Sequence, residues 1–596
     1  MRMRLLTRPV LATLLALSSC MVQAHTQGVA APVKALKVLT MARTSPFESL
    51  DPPRQFSLGS NDIVATTYNT LLRYSYLARP YKLEADLVER TLELSADGLT
   101  YTFTLRRGIR FHDSPCFPGS KGREMNAADV LFSLRRYADA RVINKSWFAM
   151  QGAVAGLDAW RATTAKAAPG ADLSAAAIPG LQKIDRHNLS IKLVKPNPLF
   201  LFALAMSPTA VVPPEAVRHF GDRPDLNPVG TDAFMLANAE RKGVLRLTRN
   251  PNYLGVYPAC GAPGDAEKSL LNDADRRLPL VDVVEIPLIE KAQPATLRFR
   301  NGELDRQALD RANFVKMALR DKAGDIRLND EYARRFDLSV APSLSVYYLA
   351  INMKAPLLGR NKALRHAAHL VDTPAEIEQL LNGRGRVAGS IVPLDLPGNE
   401  RDTGAMRRGF DPGAARTLMA EAGYPGGRGL APINITFQNT DSATRNRLDL
   451  YTSRFAAAGV VLKAQYLDYP GYVKLTEAGN LQIADHAWNA DYPDAKNFYQ
   501  LLYGTNLAPG PNVGSFIHPG YDRADEDARH MADGPARLAL FREMNATLLD
   551  EAPILLKYIP LRVSVIQKWL RNFKRNLMQP EVEFLDIDLP RKAPRF

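Results

Sequence analysis

The rhythm of the chain beyond residue 340 constrains the fold more than any other feature. Val346 to Asn352 reads as a strand. Thr373-Pro374-Ala375-Glu376 caps a helix that Asn382-Gly383 ends, and Asp411-Pro412 starts another that Gly423 stops. Then come a strand at Ile433 to Phe437, a helix ending at Gly459, and strands at Val460 to Tyr466 and Leu481 to Trp488. Strands that alternate with helices at this spacing bury their apolar faces by layering helices on a sheet, so this part of the chain is α/β with mixed pairing. No repeat of fixed period is present, which argues against a solenoid or a propeller.

The first half reads differently. Leu92 and Leu94, the turn at Asp97-Gly98, and then Leu99, Tyr101, Phe103 and Leu105 alternating with Thr100, Thr102, Thr104 and Arg106 predict a hairpin with one apolar face. Asn126-Ala127-Ala128-Asp129 has the spacing of a capping box, and Val130, Leu131 and Leu134 continue a helical stripe through Tyr137. Pro115 to Glu124 between them is expected to be an extended loop. Gly152 to Gly180, rich in Ala and Gly, is expected to be a surface excursion. The full length of 596 residues sets a prior of about four domains.

The first 24 residues have a processing pattern. Arg2, Arg4 and Arg8 precede a short apolar stretch, Pro9 to Leu17, and Val22-Gln23-Ala24 offers a signal peptidase site with His25 as the mature start. Leu17-Ser18-Ser19-Cys20 is the competing reading, a lipobox in which Cys20 would carry the anchor. No later stretch approaches the ~18 apolar residues of a spanning helix; Pro198 to Met206 is read as a buried element. Beyond Cys20 the chain has only Cys116 and Cys260, an even pair that export predicts to be bridged. Loss of residues 1 to 24 lowers the formal charge from +14 to +11. The Lys and Arg residues are scattered, and no nucleic-acid motif accompanies them, so nucleic acid is not an expected partner.

Catalytic signatures are missing: there is no H-E-x-x-H, G-x-S-x-G, P-loop or S-x-x-K. Gly383-Arg384-Gly385 with Gly389 approximates a dinucleotide loop, but it follows a helix and is read as a turn. His366 and His369, three apart on a helix, lack a nearby third metal ligand. The expectation is a protein without cofactor, metal or catalytic residue. An exported hydrolase is the remote alternative.

Ordered motifs over about 500 residues resemble one family. They begin with Leu50-Asp51-Pro52, expected where the first strand ends, then LSADGLTYTFTLRRGIRFHD at Leu94 to Asp113 and NAADVLFSLRR at Asn126 to Arg136. Pro228-Val229-Gly230-Thr231 and Asn250-Pro251-Asn252-Tyr253 follow, although Asp232-Ala233-Phe234 departs from the usual G-P-Y. Gly302 to Asp305, Tyr348 to Asn352, Ala363 to Asp372, Trp488 to Asp494 (W-N-A-D-Y-P-D) and Arg537 to Pro553 complete the series. The chain is similar to the extracytoplasmic solute-binding proteins of family 5, receptors of ABC importers for peptides and related solutes.

That resemblance implies an α/β, two-lobed periplasmic binding protein fold, class II-like with an extra subdomain, with mixed β-sheets flanked by helices and a hinge between lobes. Residues 35–66, 205–335 and 560–596 would form lobe I, 67–204 its extra subdomain, and 340–559 lobe II. Asp491 would receive a peptide's α-ammonium, Trp488 would line a side-chain pocket, and Ser345 to Tyr348 would pair with the ligand as an added strand. Ser345, Tyr347, Trp488, Asn489, Asp491 and Asn439 are thus the expected ligand-binding set. Dipeptide receptors of the family place an arginine just after the strand matching Ile433 to Phe437. Gln438-Asn439-Thr440 stands there, with no arginine before Arg445, which weakens the case for strict dipeptide specificity. The implied protein is a monomeric, non-catalytic periplasmic receptor that delivers oligopeptides to an inner-membrane permease. The alternative is the same fold carrying a metal chelate or haem, with His486 or His518 near the cleft.

Overall fold

The hairpin forms from the residues that predict it. Thr100–Thr104 pairs antiparallel with Glu93–Leu94, and Asp97 closes the turn by accepting the Leu99 N–H at 3.0 Å. Tyr101, Phe103 and Leu105 are buried on one face, as the alternation requires. Asn188–Lys192 and Leu181–Lys183 extend this to a four-stranded antiparallel sheet. The helix Ala127–Ala138 packs in the same core, with the capping box of Asn126 and Asp129 present in full.

The computed structural model describes residues 35–592 apart from 56, 90–92, 169, 174–175, 222–223, 239, 322–323, 369–371, 395, 400–409, 439–440 and 509. The expected signal sequence with Cys20, and Leu92, His369 and Asn439, lie outside the described residues. All described strands and helices belong to the unit Lys37–Phe596.

Two further groups of sheets follow. In one, Val38–Thr40, Val283–Pro287, Val244–Arg249 and Phe234–Asn238 lie side by side, the first pair parallel and the others antiparallel. Their core includes Phe234, Leu247, Val284 and the C-terminal Phe584, Leu585 and Ile587. In the other, the order is Leu462–Leu467, Ile433–Gln438, Ile483–Asn489, Ser345–Ile351, Ile554–Leu556, with parallel pairing through the first three and antiparallel pairing beyond. This is the mixed α/β sheet read from the alternation, and helices such as Pro412–Glu421 and Ser442–Ala456 pack on it.

The passage between the two groups is double. Phe336–Pro342 runs antiparallel to Tyr558–Gln567, with Pro342 opposite Leu561. The first leads into Ser345–Ile351, and the second follows Ile554–Leu556. Two adjacent backbone connections therefore cross together. The boundary expected at 559/560 falls inside the strand Tyr558–Gln567.

Some expectations are corrected. The first strand ends at Thr40, well before Asp51. Asp51 instead meets the Arg136 guanidinium in a buried bidentate pair at 2.7 and 2.6 Å, joining two of the motifs that carry the resemblance. The Gly152 to Gly180 stretch contains a helix, Leu157–Lys166, because Leu157 and Trp160 supply an apolar face for the core while the Ala residues tolerate either state. Asp372, not Thr373, caps the helix at 373 by accepting the Ala375 N–H at 3.0 Å; Asn382 and Gly383 end it with positive φ. Cys116 and Cys260 are free thiols. Cys116 packs against the hairpin core while Cys260 is exposed on a separate loop, so the even count did not make a bridge.

Candidate functional site

The strand Ile483–Asn489 carries the site to its place. It is held by Ser345–Ile351 in a register that sets Val346 opposite Trp488 and Ser345 opposite Asn489. The Ala490 N–H then donates to the Leu344 carbonyl at 2.8 Å, and the chain turns away at Asp491. Fully buried Asn497, on the short helix Lys496–Tyr499, fixes that turn. Its Oδ1 accepts both the Trp488 Nε1–H and the Asp491 N–H at 3.0 Å, and its Nδ2 donates to Asp491 Oδ2 at 2.9 Å. One amide side chain thereby orients the two residues of the cleft motif. Asp494 has the supporting part: it accepts the Lys496 N–H at 2.8 Å and a bidentate Arg537 at 2.7 and 2.8 Å.

Asp491 and Ala490 form one wall of a cavity of about 210 Å³. Its other walls come from the first group of elements and include Asn69, Arg73, Tyr74, Asp86, Met206, Asp232, Gln579 and Glu583. An aromatic stack bridges the walls: Tyr492 lies on Phe202 at 5.6 Å, and Phe202 on Tyr74 at 6.4 Å. Burial pushes the Asp491 carboxyl up to about 6, against the hydrogen bond from Asn497 that favours its charge. Asp491 Oδ1 has no hydrogen bond among the described residues. The carboxylate is thus penalised when the cavity holds no cation, and a cation placed there relieves the penalty.

The opposite wall is acidic. Asp86 accepts from Asn69 Nδ2 at 3.1 Å and from the Thr70 N–H at 3.2 Å, and Glu583 accepts from the Tyr253 hydroxyl at 2.7 Å and from Arg73 at 3.2 Å. Arg73 also pairs with Glu84 at 2.9 Å and is the only cation lining the cavity among the described residues. Burial raises the carboxyls of Asp86, Glu583 and, most of all, Asp232, where Glu583 and Asp86 add to the effect.

The expected ligand-binding set separates. Asp491 reaches the cavity. The Trp488 indole donates to Asn497 and serves to place Asp491. Ser345 is buried with its hydroxyl on Asn489 Oδ1, and Tyr347 stacks on Tyr558 at 4.9 Å; neither lines the cavity. Nor is their strand an open edge. Tyr348 to Ala350 pair with Ile554–Leu556, and the Tyr347 carbonyl accepts the Lys557 N–H at 2.9 Å, so protein backbone already occupies that side of the strand from Tyr347 onward. His486 stacks on Tyr472, bonds its hydroxyl at 2.8 Å, and is pushed down to about 4 by burial; His518 caps the helix Pro519–His530. Neither faces the cavity. Arg445 is exposed on its helix.

Sequence reasoning missed Asn497, Tyr74 and the whole acidic wall. Asp232 alone had a visible signal, as the residue that breaks the G-P-Y pattern. Asn69, Asp86, Asp232 and Glu583 span more than 500 residues of sequence, and no local pattern links them.

Comparison with known proteins gives a consistent result. The dipeptide-binding protein of Escherichia coli K12 is 24% identical over 543 residues, covering 89% of this chain and 90% of that one. Heme-binding protein A of Haemophilus influenzae is 23% identical over 519 residues, 84% of each. The Helicobacter pylori periplasmic binding protein DppA in complex with the peptide STSA superposes with a TM-score of 0.71 at 20% identity, over 92% of this chain and 98% of that chain. A dipeptide-binding protein from Pseudoalteromonas sp. SM9913 in complex with Met-Leu does so with 0.71 at 18%, over 93% and 100%. These likenesses establish the two-lobed α/β fold. The family model for bacterial extracellular solute-binding proteins, family 5, matches residues 82–509, and the chain belongs to that family.

Proposed function

We propose that this protein is the receptor component of an ABC importer, a non-catalytic periplasmic protein that captures peptides between its lobes and presents them to an inner-membrane permease. The observation that carries the reading is the Asp491 carboxylate, set into the wall of an interlobe cavity by Asn497 with one oxygen left for a ligand. An α-ammonium fits it: compact, positive and able to donate to a carboxylate in a site with little water. Residues 37–335 and 561–592 form lobe I in this reading, and 344–559 lobe II. Closure bends the paired crossings at 342–345 and 556–558 and leaves the cores intact. Peptide-binding relatives and peptide-bound neighbours support the assignment.

The test is isothermal titration of the purified protein with unmodified and N-acetylated di-, tri- and tetrapeptides. Free-amine peptides are expected to bind, and both acetylation and Asp491→Asn to weaken binding at least tenfold. Equal affinity of the acetylated forms would remove Asp491 from the ligand.

A further inference from the structure

Asp232 occupies the position where the chain departs from the glycine of the family's G-T-G-P-Y pattern, and it lines the cavity in the wall opposite Asp491. The residue is 6% exposed. Its Oδ1 accepts the Ala233 N–H at 2.7 Å, and no Lys, Arg or His forms an ion pair with it among the described residues. Asp86 and Glu583 share the same wall. The cation that balances them, Arg73, is divided between Glu583 and Glu84. Within the wall, three carboxylates face one guanidinium that also serves a fourth carboxylate outside the cavity; Arg106 acts on Asp86 but does not line the cavity. Isolated buried charge is expensive, and it is compensated by protons or by a cation from outside.

A second observation points to an occupant. Tyr74, 2% exposed, lines the same cavity, and its hydroxyl has no hydrogen-bond partner among the described residues. The Gln579 side-chain NH₂, also in the wall, is likewise unsatisfied. Buried polar groups are seldom left so, and a donor and a hydroxyl aimed at one cavity are what a polar ligand would satisfy.

We propose that the cleft recognises ligands with two positive charges: one ammonium at Asp491, the other, an amine or guanidinium, at Asp232 with Asp86 and Glu583 behind it. The class is a peptide carrying a lysine- or arginine-like side chain near its N-terminus, or a compact diamine. This rests on the reading of Asp491 as the ammonium anchor and adds the second site. Unfavourable alternatives are built in, because a ligand with a neutral side chain leaves Asp232 uncompensated in the cavity.

The experiment is calorimetric titration of the full mature protein with matched tripeptides that carry lysine or norleucine at the first or second position, and with 1,5-diaminopentane. The wild type is expected to bind a lysine peptide at least tenfold more tightly than its norleucine twin, with discrimination falling within twofold in Asp232→Asn as lysine affinity falls and norleucine affinity rises. Circular dichroism and a thermal melt of the near-isosteric Asp232→Asn confirm that it folds. Equal affinity of the twins in the wild type, or discrimination that survives Asp232→Asn, overturns the proposal and leaves Asp491 as anchor. If peptides do not bind but the diamine does, and Asp232→Asn abolishes that, the dication site stands and the peptide reading fails. Binding of neither defeats both.

Discussion

Two buried charge clusters invite comparison. Against the mixed sheet, Glu376, Asp485, Arg447 and Lys557 converge from a helix, a strand, a second helix and a connecting segment, at distances of 2.6 to 3.3 Å, and the Tyr451 hydroxyl donates to the remaining Glu376 oxygen at 2.8 Å. Two anions meet two cations. Burial alone would raise Asp485, but Lys557 and Arg447 outweigh it and hold that carboxyl below its ordinary value. Beside the cavity, Asp86, Asp232 and Glu583 have Arg73 as the one arginine in the wall, with Arg106 also acting on Asp86, and burial raises all three carboxyls. The first cluster is closed on itself and holds a sheet to its helices. The second opens on the cavity. Balance marks a structural site, and imbalance beside a void marks a place for a ligand.

Breaking the balanced cluster should have the largest effect. Lys557→Met leaves Glu376 and Asp485 with Arg447 alone, and a buried pair broken on one side costs about 3–5 kcal/mol, to be read from urea unfolding. Binding should suffer only through stability. Asp491→Asn should act the other way, weakening ligand binding at least tenfold, equivalent to loss of a charge-assisted bond of about 1.5–3 kcal/mol, with the fold intact.

The pH dependence sharpens the contrast. Because the folded Asp491 carboxyl titrates near 6 against an ordinary 3.8, the ligand-free fold holds an extra proton between those values. Its stability therefore falls as pH rises through that window. Asp491→Asn should remove this slope and leave the ligand-free protein about 3 kcal/mol more stable above pH 6, with no difference below pH 3.8, by denaturant titration. Affinity for a cationic ligand should run oppositely, rising with pH up to about 6 and levelling beyond. The smallest effect is expected from Trp488→Phe, which removes one donor to Asn497 and should cost about 1 kcal/mol in stability with a few-fold change in affinity.

Much of this was legible from the residues. Period-two alternation at Leu99 to Leu105 and the capping box at Asn126 each specify local backbone, so strand and helix appeared where the pattern placed them. The cleft motif was legible too, because Trp488, Asp491 and Asp494 are separated by only three residues each. Ser345 and Tyr347 were expected as ligand contacts from the resemblance alone; pairing with Ile483–Asn489 takes one edge of their strand, and the segment 554–557 takes the other from Tyr347 to Ala350.

What sequence alone determined about this protein is the α/β class, the family and the motif that carries Asp491, since each rests on short-range periodicity or on motifs carried in order. Only the tertiary structure decided that Asp86, Asp232 and Glu583 face one cavity with Arg73 between them. Side chains so distant along the chain acquire a shared charge balance only when folding removes the water that had screened each one separately.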